Sequence, residues 1–344
     1  MNILFLTSGR HAPSSRFRVQ AYVPHLRKLG HRCIVRPSHP PQYESYRLIG
    51  WRRSMALRRR LRYVDLWRAQ RGRFDVAFVE RELFNDDTTD MEELFRQACG
   101  RLALDIDDAV FLRHPAKYER LVRLADTVIA GNRYLAERFA PLNPAVTVVP
   151  TVVDLDRYPI KRQCHRPQPP VLGWTGSSGG LRFVCSIADA LRQVARRRPL
   201  QLHLIANRLD DATRRSLAGL PLTFRRWRPA TEIGDLSQFD VGLMPLADDE
   251  WNRHKCGLKL LQYWSIGIPV VASPVGVNRD WVRDGENGFL AASHEAWAVA
   301  LEKLLDDLEL RQQLGRAGRA LVEAEFDVRK QLPRWLEAVG RPAR

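Results

Sequence analysis

The sequence predicts an α/β protein made of two doubly wound, Rossmann-like domains. Three observations lead to this prediction. In the first half, short apolar strand signals alternate with amphipathic helix signals, which is typical of a parallel sheet covered by helices on both faces. After a proline-rich basic stretch the same alternation starts again. The 344 residues are also enough for two domains of ordinary size.

The predicted domain boundaries follow from where this alternation stops and restarts. Residues 1–160 form the first expected domain and residues 171–325 the second. Residues 161–170 between them are proline-rich, polar and basic, as linkers often are. Residues 326–344 are predicted to form a helical tail. This tail can cross back to the first domain. The clearest strand signals are 3–8, 74–80, 101–107, 126–131, 146–150, 171–176, 240–246 and 269–274.

Composition indicates a folded protein with an anionic partner. Hydrophobic residues make up 45% and charged residues 27%, which excludes a disordered chain. No apolar run reaches the roughly 20 residues that a membrane-spanning helix needs. The five cysteines are scattered without a CxxC pair, so we expect neither a zinc site nor a disulfide framework but reduced thiols in the cytoplasm. The net charge of +16 predicts binding to nucleic acid, anionic lipid or a phosphorylated substrate.

The basic charge is concentrated in residues 46–74, which hold ten arginines and one acidic residue. Trp51, Leu61 and Trp67 are among the large apolar side chains between these arginines. A basic helix with Trp and Leu is typical of an element that lies on an anionic membrane surface. The alternative is a helix that covers the sheet edge with a solvated arginine face. Since no nucleic-acid reading motif is present, we expect no nucleic-acid partner.

Residues 254–273, HKCGLKLLQYWSIGIPVVAS, predict an anion site at the start of a helix. Lysines 255 and 259 flank a glycine at the predicted N-terminus, where the helix dipole already attracts anions and repels cations. Gly257 permits close approach of a ligand to the backbone. The two lysines lie one turn apart, and Gln262 follows on roughly the same side of the helix. This arrangement fits a diphosphate carrying a sugar or ribose hydroxyl.

Three further motifs accompany this stretch: DVGLMP at 240–245, GIPVVAS at 267–273 and DGENGF at 284–289. In their order and spacing they resemble the donor-nucleotide region of the family 4 (group 1) glycosyltransferases, retaining enzymes of the GT-B fold. The resemblance is strong over about 50 residues of the second half and looser in the first half. Two departures stand out. His254 and Gln262 occupy positions where the family usually has glutamates, and Ser177 replaces an arginine of the first loop, GWTGSSGGLR.

The resemblance implies a nucleotide-diphosphate-sugar donor bound on the second domain, with no dedicated metal or other cofactor. The expected donor residues are Gly176, Ser177, Arg182, Lys255 and Lys259 at the phosphates, Gln262 at the ribose, and His254 with the Gly257 backbone at the sugar. Lys255 and Lys259 are also expected to act in catalysis, because cations stabilise the departing diphosphate. The natural place for such a site is the cleft between two domains of this type.

The acceptor is expected on the first domain, near Ser8, Gly9 and Arg16. Asp107, at the end of a predicted strand, is a candidate catalytic residue that contacts the acceptor or the developing positive charge at the anomeric carbon. Two other interpretations of Asp105-Ile106-Asp107-Asp108 remain open. One of these carboxylates can cap the following helix, and Asp-x-Asp binds a metal in the other glycosyltransferase fold.

The predicted function is therefore transfer of a sugar to a lipid-linked, polysaccharide or other glycan acceptor with retention of configuration. The enzyme would work at the cytoplasmic face of the cell membrane, held there through residues 46–74. Two alternatives remain. A sugar-nucleotide epimerase can share the fold, and a non-catalytic assembly subunit would account for the loss of both glutamates.

Overall fold

The computed structural model describes residues 1–161 and 168–340, which divide into two compact units. The first unit comprises residues 1–152, 254–256 and 328–340. The second comprises residues 153–161, 168–253 and 257–327. Most of the predicted linker, residues 162–167, and the last four residues of the predicted tail lie outside the described residues.

The first unit is built on a six-stranded parallel sheet. Its strand order is β2-β1-β3-β4-β5-β6, so the order reverses between β1 and β3. The strands that form its centre are buried along nearly their whole length, as parallel strands covered on both faces must be. The bounds are β1 Asn2–Thr7, β2 Arg32–Pro37, β3 Val76–Glu80, β4 Leu102–Ile106, β5 Thr127–Ala130 and β6 Val146–Val148.

The second unit repeats this plan with its own six-stranded parallel sheet. The order β12-β11-β10-β7-β8-β9 reverses between β7 and β10. In such sheets ligands bind beyond the carboxyl ends of the strands at this reversal. The bounds are β7 Val171–Thr175, β8 Gln201–Ala206, β9 Leu222–Arg226, β10 Val241–Met244, β11 Val270–Ala272 and β12 Gly288–Leu290. The predicted fold class, with two doubly wound α/β domains, is confirmed.

Helices connect the strands of both units. In the first unit they are Ser15–Gln20, Val23–Lys28, Gly50–Gly72, Asp90–Ala98, Ala109–Leu112, Pro115–Leu124, Arg133–Phe139 and Val328–Gly340. In the second unit they are Leu155–Arg157, Ser178–Gly180, Leu181–Ser186, Ala188–Arg197, Asp211–Ser216, Glu232–Leu236, Glu250–Arg253, Leu258–Ser265, Val277–Trp281, His294–Asp306, Leu308–Leu321 and Val322–Phe326.

The helix Gly50–Gly72, called the basic helix below, has arginines on its inner face. Arg58 and Arg62 are buried, and they recur at the spacing of one helical turn. Arg58 donates to the carbonyls of Pro41 and Glu44 at 2.8 and 2.9 Å. Arg62 donates to the carbonyls of Arg36 and Thr7 at 3.0 and 2.9 Å. Arg58 and Arg62 therefore lie outside the predicted solvated arginine face, since they bind loop and strand-end carbonyls.

The final helix, Val328–Gly340, packs in the core of the first unit. Trp335 is 1% exposed and stacks on three aromatic rings there. Its ring centroid lies 5.5 Å from those of Tyr22 and Phe78 and 6.0 Å from that of Phe5. This helix therefore completes a core whose strands come from the first half of the sequence.

Candidate active site

Predicted acceptor residues lie beyond the carboxyl end of β1, at the strand reversal of the first sheet. Ser8 is buried, and its backbone N–H donates to Glu80 Oε2 at 3.3 Å. The Ser15 hydroxyl donates to the same oxygen at 2.5 Å and accepts from the Gly9 N–H at 3.3 Å. Arg16 is half-buried, with its guanidinium 5.0 Å from the centre of the Phe17 ring. The loop after β1 is thus tied to the buried carboxylate that ends β3.

Asp107, beyond the end of β4, forms an ion pair. Arg81 Nε donates to Asp107 Oδ1 at 2.6 Å, and its NH2 group lies 3.9 Å from Asp108 Oδ2. Burial alone would raise the pKa of Asp107, but the positive charges of Arg81 and Arg18 outweigh it and hold that pKa below its ordinary value. Asp107 is therefore an anion at neutral pH and a weak base. This environment suits an Asp107 that acts through its negative charge better than an Asp107 that accepts a proton.

Arg81 has a backbone conformation that is unusual for a residue with a side chain. Its φ is +63°, in the left-handed region. The backbone N–H of Arg81 donates to the Asp105 carbonyl at 2.7 Å, so the end of β3 is held against β4 while the side chain reaches Asp107. Strained conformations of this kind persist where the surroundings impose them, and they cluster at functional sites.

The neighbouring carboxylates have separate partners. Asp105 is fully buried and receives two hydrogen bonds from Arg18 Nε at 3.2 and 3.1 Å. Asp108 accepts from the Ala109 N–H at 2.9 Å and so caps the short helix that follows. The capping interpretation of this acidic stretch is confirmed for Asp108. Across residues 1–161 and 168–340 there is no group of three or more His, Cys, Asp and Glu placed to hold a metal ion.

Residues 254–256, called the tripeptide below, belong to the first unit although the flanking residues belong to the second. Asn132 Nδ2 donates to the carbonyls of His254 and Lys255 at 2.9 and 3.1 Å. The His254 ring stands edge-on to Phe111, with centroids 5.1 Å apart. Lys255 Nζ lies 3.8 Å from Asp108 Oδ1. Two predicted donor residues, His254 and Lys255, are thus held by groups of the first unit.

The predicted phosphate loop of the second unit begins where β7 ends, at the strand reversal. A Cβ added to Gly176 would lie 2.8 Å from the Trp174 ring and 3.0 Å from Lys259 Cε, so only glycine fits between them. Lys259 Nζ is 5.5 Å from the centre of the Trp174 ring. The structure therefore brings Gly176 and Lys259 together, as the sequence predicted. Ser177 follows in the exposed part of this loop.

Tyr263 connects the helix that carries Lys259 to the end of β7. Its hydroxyl accepts from the Thr175 N–H at 3.1 Å and donates to the Leu243 carbonyl at 3.3 Å. A Cβ on Gly242 would come within 2.3 Å of the Tyr263 ring, which explains the glycine of the DVGLMP motif. This buried tyrosine fixes the distance between the phosphate loop and the lysine helix.

The remaining predicted donor residues differ in exposure. Gln262 is 4% exposed, one turn beyond Leu258 in the same helix. Gly257 precedes that helix with a φ of +60°, and a Cβ there would lie 2.5 Å from the Trp281 ring. Arg182 is exposed, with its guanidinium 4.8 Å from the centre of the Phe183 ring. The close approach of the Trp281 ring thus explains the glycine at position 257. The guanidinium of Arg182, by contrast, lies over the ring of Phe183.

Two residues at these strand ends were not predicted from the sequence: Asn132 and Asn207. Asn207 accepts from the Ser178 N–H in the phosphate loop at 2.7 Å. Asn132 directly precedes a helix, a position at which asparagine indicates an N-cap. Its Oδ1 accepts from the Leu135 N–H at 2.9 Å and so makes this cap. Nothing in the sequence indicates its second role at the tripeptide, which lies 122 residues away in the chain.

The predicted membrane-facing segment shows mixed side chains on its outer surface. Trp51, Leu61, Tyr63, Val64 and Trp67 of the basic helix are exposed. Several arginines lie among them, and Arg71 places its guanidinium 4.1 Å from the centre of the Trp67 ring. Among the helices of the described chain, none is both long and apolar enough to cross a membrane.

The chain is similar to known glycosyltransferases. Residues 169–307 match the family model of the glycosyl transferases group 1. A D-inositol 3-phosphate glycosyltransferase from Corynebacterium diphtheriae is 40% identical over 93 residues, 26% of this chain and 21% of that protein. The one from Nocardia farcinica is 25% identical over 224 residues, 57% of this chain and 49% of that protein. The aligned segments thus span less than half the length of these curated relatives.

Solved structures extend the likeness to the whole fold. HepE from Anabaena, crystallised with UDP-glucose, has a TM-score of 0.71 at 15% identity and covers 99% of both chains. Sucrose-phosphate synthase from Thermosynechococcus elongatus has a TM-score of 0.72 at 17% identity, covering 98% of this chain and 100% of that one. The predicted GT-B fold is therefore confirmed, and the match of residues 169–307 to the glycosyl transferases group 1 model agrees with the resemblance stated from the motifs.

Proposed function

We propose that this protein transfers a sugar from a nucleotide-diphosphate-sugar donor to a lipid-linked, polysaccharide or other glycan acceptor with retention of configuration. The observation that carries the proposal is the placement of Gly176 and Lys259 around Trp174, at the strand reversal of a group 1 glycosyltransferase domain. A glycine-lined loop beside a fixed ammonium group is suited to a diphosphate.

The proposed donor contacts follow the predicted roles. Gly176, Ser177, Arg182, Lys255 and Lys259 bind the phosphates, Gln262 binds the ribose, and His254 with the Gly257 backbone binds the sugar. UDP is the first nucleotide to test, because HepE was crystallised with UDP-glucose.

In the proposed reaction, the bond between the anomeric carbon and the diphosphate oxygen breaks while the acceptor oxygen bonds to the same face of the sugar. The departing diphosphate takes the proton of the acceptor hydroxyl. Backbone N–H groups and lysine cations stabilise the negative charge on the leaving group, so the reaction needs no metal ion. Asp107, an anion paired with Arg81, stabilises positive charge at the anomeric carbon or orients the acceptor near Ser8, Gly9 and Arg16.

Calorimetry with UDP, GDP, TDP and ADP tests the donor site. We expect one diphosphate to bind, and Lys259→Ala to weaken that binding about tenfold or more, which corresponds to about 1.4 kcal/mol. Lys303→Ala is the matched control, because Lys303 Nζ also lies over an aromatic ring, 5.7 Å from the centre of Phe289.

The control variant should bind like the wild type. If no diphosphate binds and Lys259→Ala behaves as the wild type, the donor site is wrong and a non-catalytic subunit becomes the better account. With an active donor–acceptor pair, NMR of the first product formed shows whether the anomeric configuration is retained.

The acceptor proposal includes a location at the inner face of the cell membrane. Arginine cations attract anionic headgroups, and Trp and Leu side chains insert at the interface. The exposed Trp67 and its neighbours on the basic helix support this. We expect sedimentation with vesicles that contain phosphatidylglycerol, weaker binding to pure phosphatidylcholine, and a loss of binding on Trp67→Ser.

Val299→Ser is the control for this surface, because Val299 is exposed to nearly the same degree, 52% against 53% for Trp67, and lies in the second unit. Equal binding to neutral and anionic vesicles, or equal effects of the two substitutions, would exclude the basic helix as the membrane contact.

A further inference from the structure

Asn132 connects two parts of the first unit that are far apart in the chain. It lies two residues beyond β5, is 3% exposed, and accepts through Oδ1 from the Leu135 N–H at 2.9 Å. Its amide nitrogen faces the other way and donates to the carbonyls of His254 and Lys255. One side chain therefore caps a helix and also fixes two consecutive peptide groups of the tripeptide.

The thiol of Cys256 adds a second attachment. Cys256 Sγ lies 3.3 Å from Asn132 Nδ2. A Cβ on Gly131 would lie 2.4 Å from this sulfur, so the thiol fills the space that the glycine leaves. Cys256 is buried, and burial raises the pKa of its thiol. A buried neutral thiol reacts slowly with alkylating reagents, which makes Cys256 a reporter of whether the tripeptide is in place.

Side-chain contacts complete the attachment. The His254 ring packs on Phe111, and Lys255 lies near Asp108. Directly after the tripeptide, Gly257 adopts a φ of +60°. This left-handed conformation turns the chain and is readily adopted by glycine, which has no side chain. The positions of the imidazole and the ammonium group thus depend on backbone hydrogen bonds that Asn132 supplies.

We infer that Asn132 is a positioning residue for sugar transfer: its amide holds the tripeptide so that His254 and Lys255 meet the donor in a fixed arrangement. This inference rests on the proposed function, in which those two residues bind the sugar and the phosphates. A site whose groups are fixed before the ligand arrives loses less entropy on binding. Small displacements of such groups reduce turnover strongly.

Asn143 provides a matched control within the same unit. It is also fully buried, and its Nδ2 also donates to two carbonyls, those of Val122 and Ala125, at 2.7 and 2.8 Å. Its Oδ1 accepts from the Ala145 N–H at 2.8 Å. The two asparagines therefore make the same kind of bonds, but only Asn132 bonds to the tripeptide.

The first measurement is the alkylation rate of Cys256 by iodoacetamide, followed by mass spectrometry. Asn132→Ser keeps a capping oxygen but is too short to reach both carbonyls. We expect this variant to be alkylated about tenfold faster at Cys256 than the wild type, because two hydrogen bonds and their cooperative packing are lost. Asn143→Ser should leave this rate unchanged. Asn132→Asp, which keeps the size and the cap but removes the N–H donors, is the second variant in case Asn132→Ser does not fold.

The second measurement is steady-state kinetics with the donor found by calorimetry. We expect both Asn132 variants to lower kcat/KM at least about tenfold at a temperature where circular dichroism shows them fully folded, and Asn143→Ser to leave it unchanged. Alkylation and kinetics that match the wild type in folded Asn132 variants would overturn the inference and leave the proposed function standing. Faster alkylation with unchanged kinetics would likewise overturn the positioning role. If the wild type itself binds no nucleoside diphosphate and transfers no sugar, the proposed function fails and this inference fails with it.

Discussion

At the scale of single residues, charge pairing decides what each acidic group at the first sheet can do. Asp107 and Asp105 are two positions apart in the sequence, yet each is held by a different arginine. Arg18 meets Asp105 in the interior, where both side chains are about 1% exposed. Arg81 meets Asp107 nearer the surface. The pattern Asp-x-Asp therefore produces one structural ion pair and one anion near the strand end.

The Arg81–Asp107 pair predicts a specific dependence of stability on pH. Because the pKa of Asp107 is lowered in the folded protein, the pair stabilises the fold above the ordinary carboxyl pKa of about 3.9, and this contribution disappears as the pH falls through the lowered value. Arg81→Gln removes the main opposing charge and leaves burial, which raises the pKa of Asp107. We expect a loss of about 3–5 kcal/mol at pH 7, shrinking towards pH 4.5 as Asp107 takes up a proton.

Urea unfolding at pH 7, 5.5 and 4.5 measures this effect. Glutamine experiences the same left-handed backbone strain as arginine, so the comparison isolates the charge. Arg59→Gln is the control, because the Arg59–Asp86 pair has the same 2.6 Å distance but is more exposed, and it should cost less than about 1 kcal/mol. A pH-independent difference for Arg81→Gln would contradict the assignment.

At the scale of elements, the basic helix has arginines in two different environments, buried and exposed. Its arginines divide into an inner pair, Arg58 and Arg62, and an outer set that lies among exposed apolar side chains. The inner arginines satisfy carbonyls at strand ends and in the loop before the helix. The outer face keeps charge and aromatic surface for a partner. Net charge alone does not distinguish these two groups.

The inner position of Arg62 predicts a large stability loss on Arg62→Met. The substitution removes donors to two carbonyls and leaves Asp65 with fewer charged partners, so we expect a cost of about 2–4 kcal/mol. Arg60→Met, on the exposed side of the same helix, should stay within about 0.5 kcal/mol of the wild type. Equal losses in urea unfolding would show that Arg62 does not serve as an internal anchor.

The loop after β5 predicts coupling between Gly131 and Cys256. In Gly131→Ala the new methyl group would meet the thiol at 2.4 Å, and overpacking of this kind costs about 1–3 kcal/mol. Cys256→Ala removes the sulfur, so the double variant should be more stable than the sum of the single losses predicts, by at least about 0.5 kcal/mol. If the losses in the free energy of unfolding are strictly additive in a double-mutant cycle, Gly131 and Cys256 are not in contact.

At the scale of the whole molecule, each unit has a hydrophobic core, and the chain returns to the first unit at residues 254–256 and again at 328–340. The second core is built from residues between 172 and 314, and the first takes its last residues from 328–339. Trp335 and Trp297 have corresponding roles, since each is nearly fully buried in its own core. The stability of the first unit therefore depends on the last helix of the chain.

Because each unit has its own core, a substitution in one core should increase hydrogen exchange mainly in that unit. Trp335→Ala leaves a large cavity among Phe5, Tyr22 and Phe78, at a cost of about 3–5 kcal/mol. Hydrogen exchange should then rise mainly in peptides from residues 1–152 and 328–340. Trp297→Ala should have the opposite effect, with faster exchange in peptides from 171–327. If both variants lose protection in the same peptides, the two cores do not unfold as separate units.

The sequence by itself determined the fold class, the two-domain plan and the family resemblance, because all three depend on local patterns. Strand and helix periodicity is readable over a few residues, and motifs such as GIPVVAS combine a buried strand with the glycine and proline that precede it. The proximity of Gly176 and Lys259 was also expected, since the family resemblance implies that both positions lie at the donor phosphates.

Only the tertiary structure decided which distant groups share a site. Arg81 reaches Asp107 because a left-handed residue ends β3, and Asn132 reaches the tripeptide because the chain enters the first unit for three residues. These contacts join positions 26 and more than 120 residues apart, and they depend on strand order and on the local chain direction. A hydrogen bond or ion pair of this kind leaves no periodic pattern in one sequence, because it depends on two positions that only folding brings together.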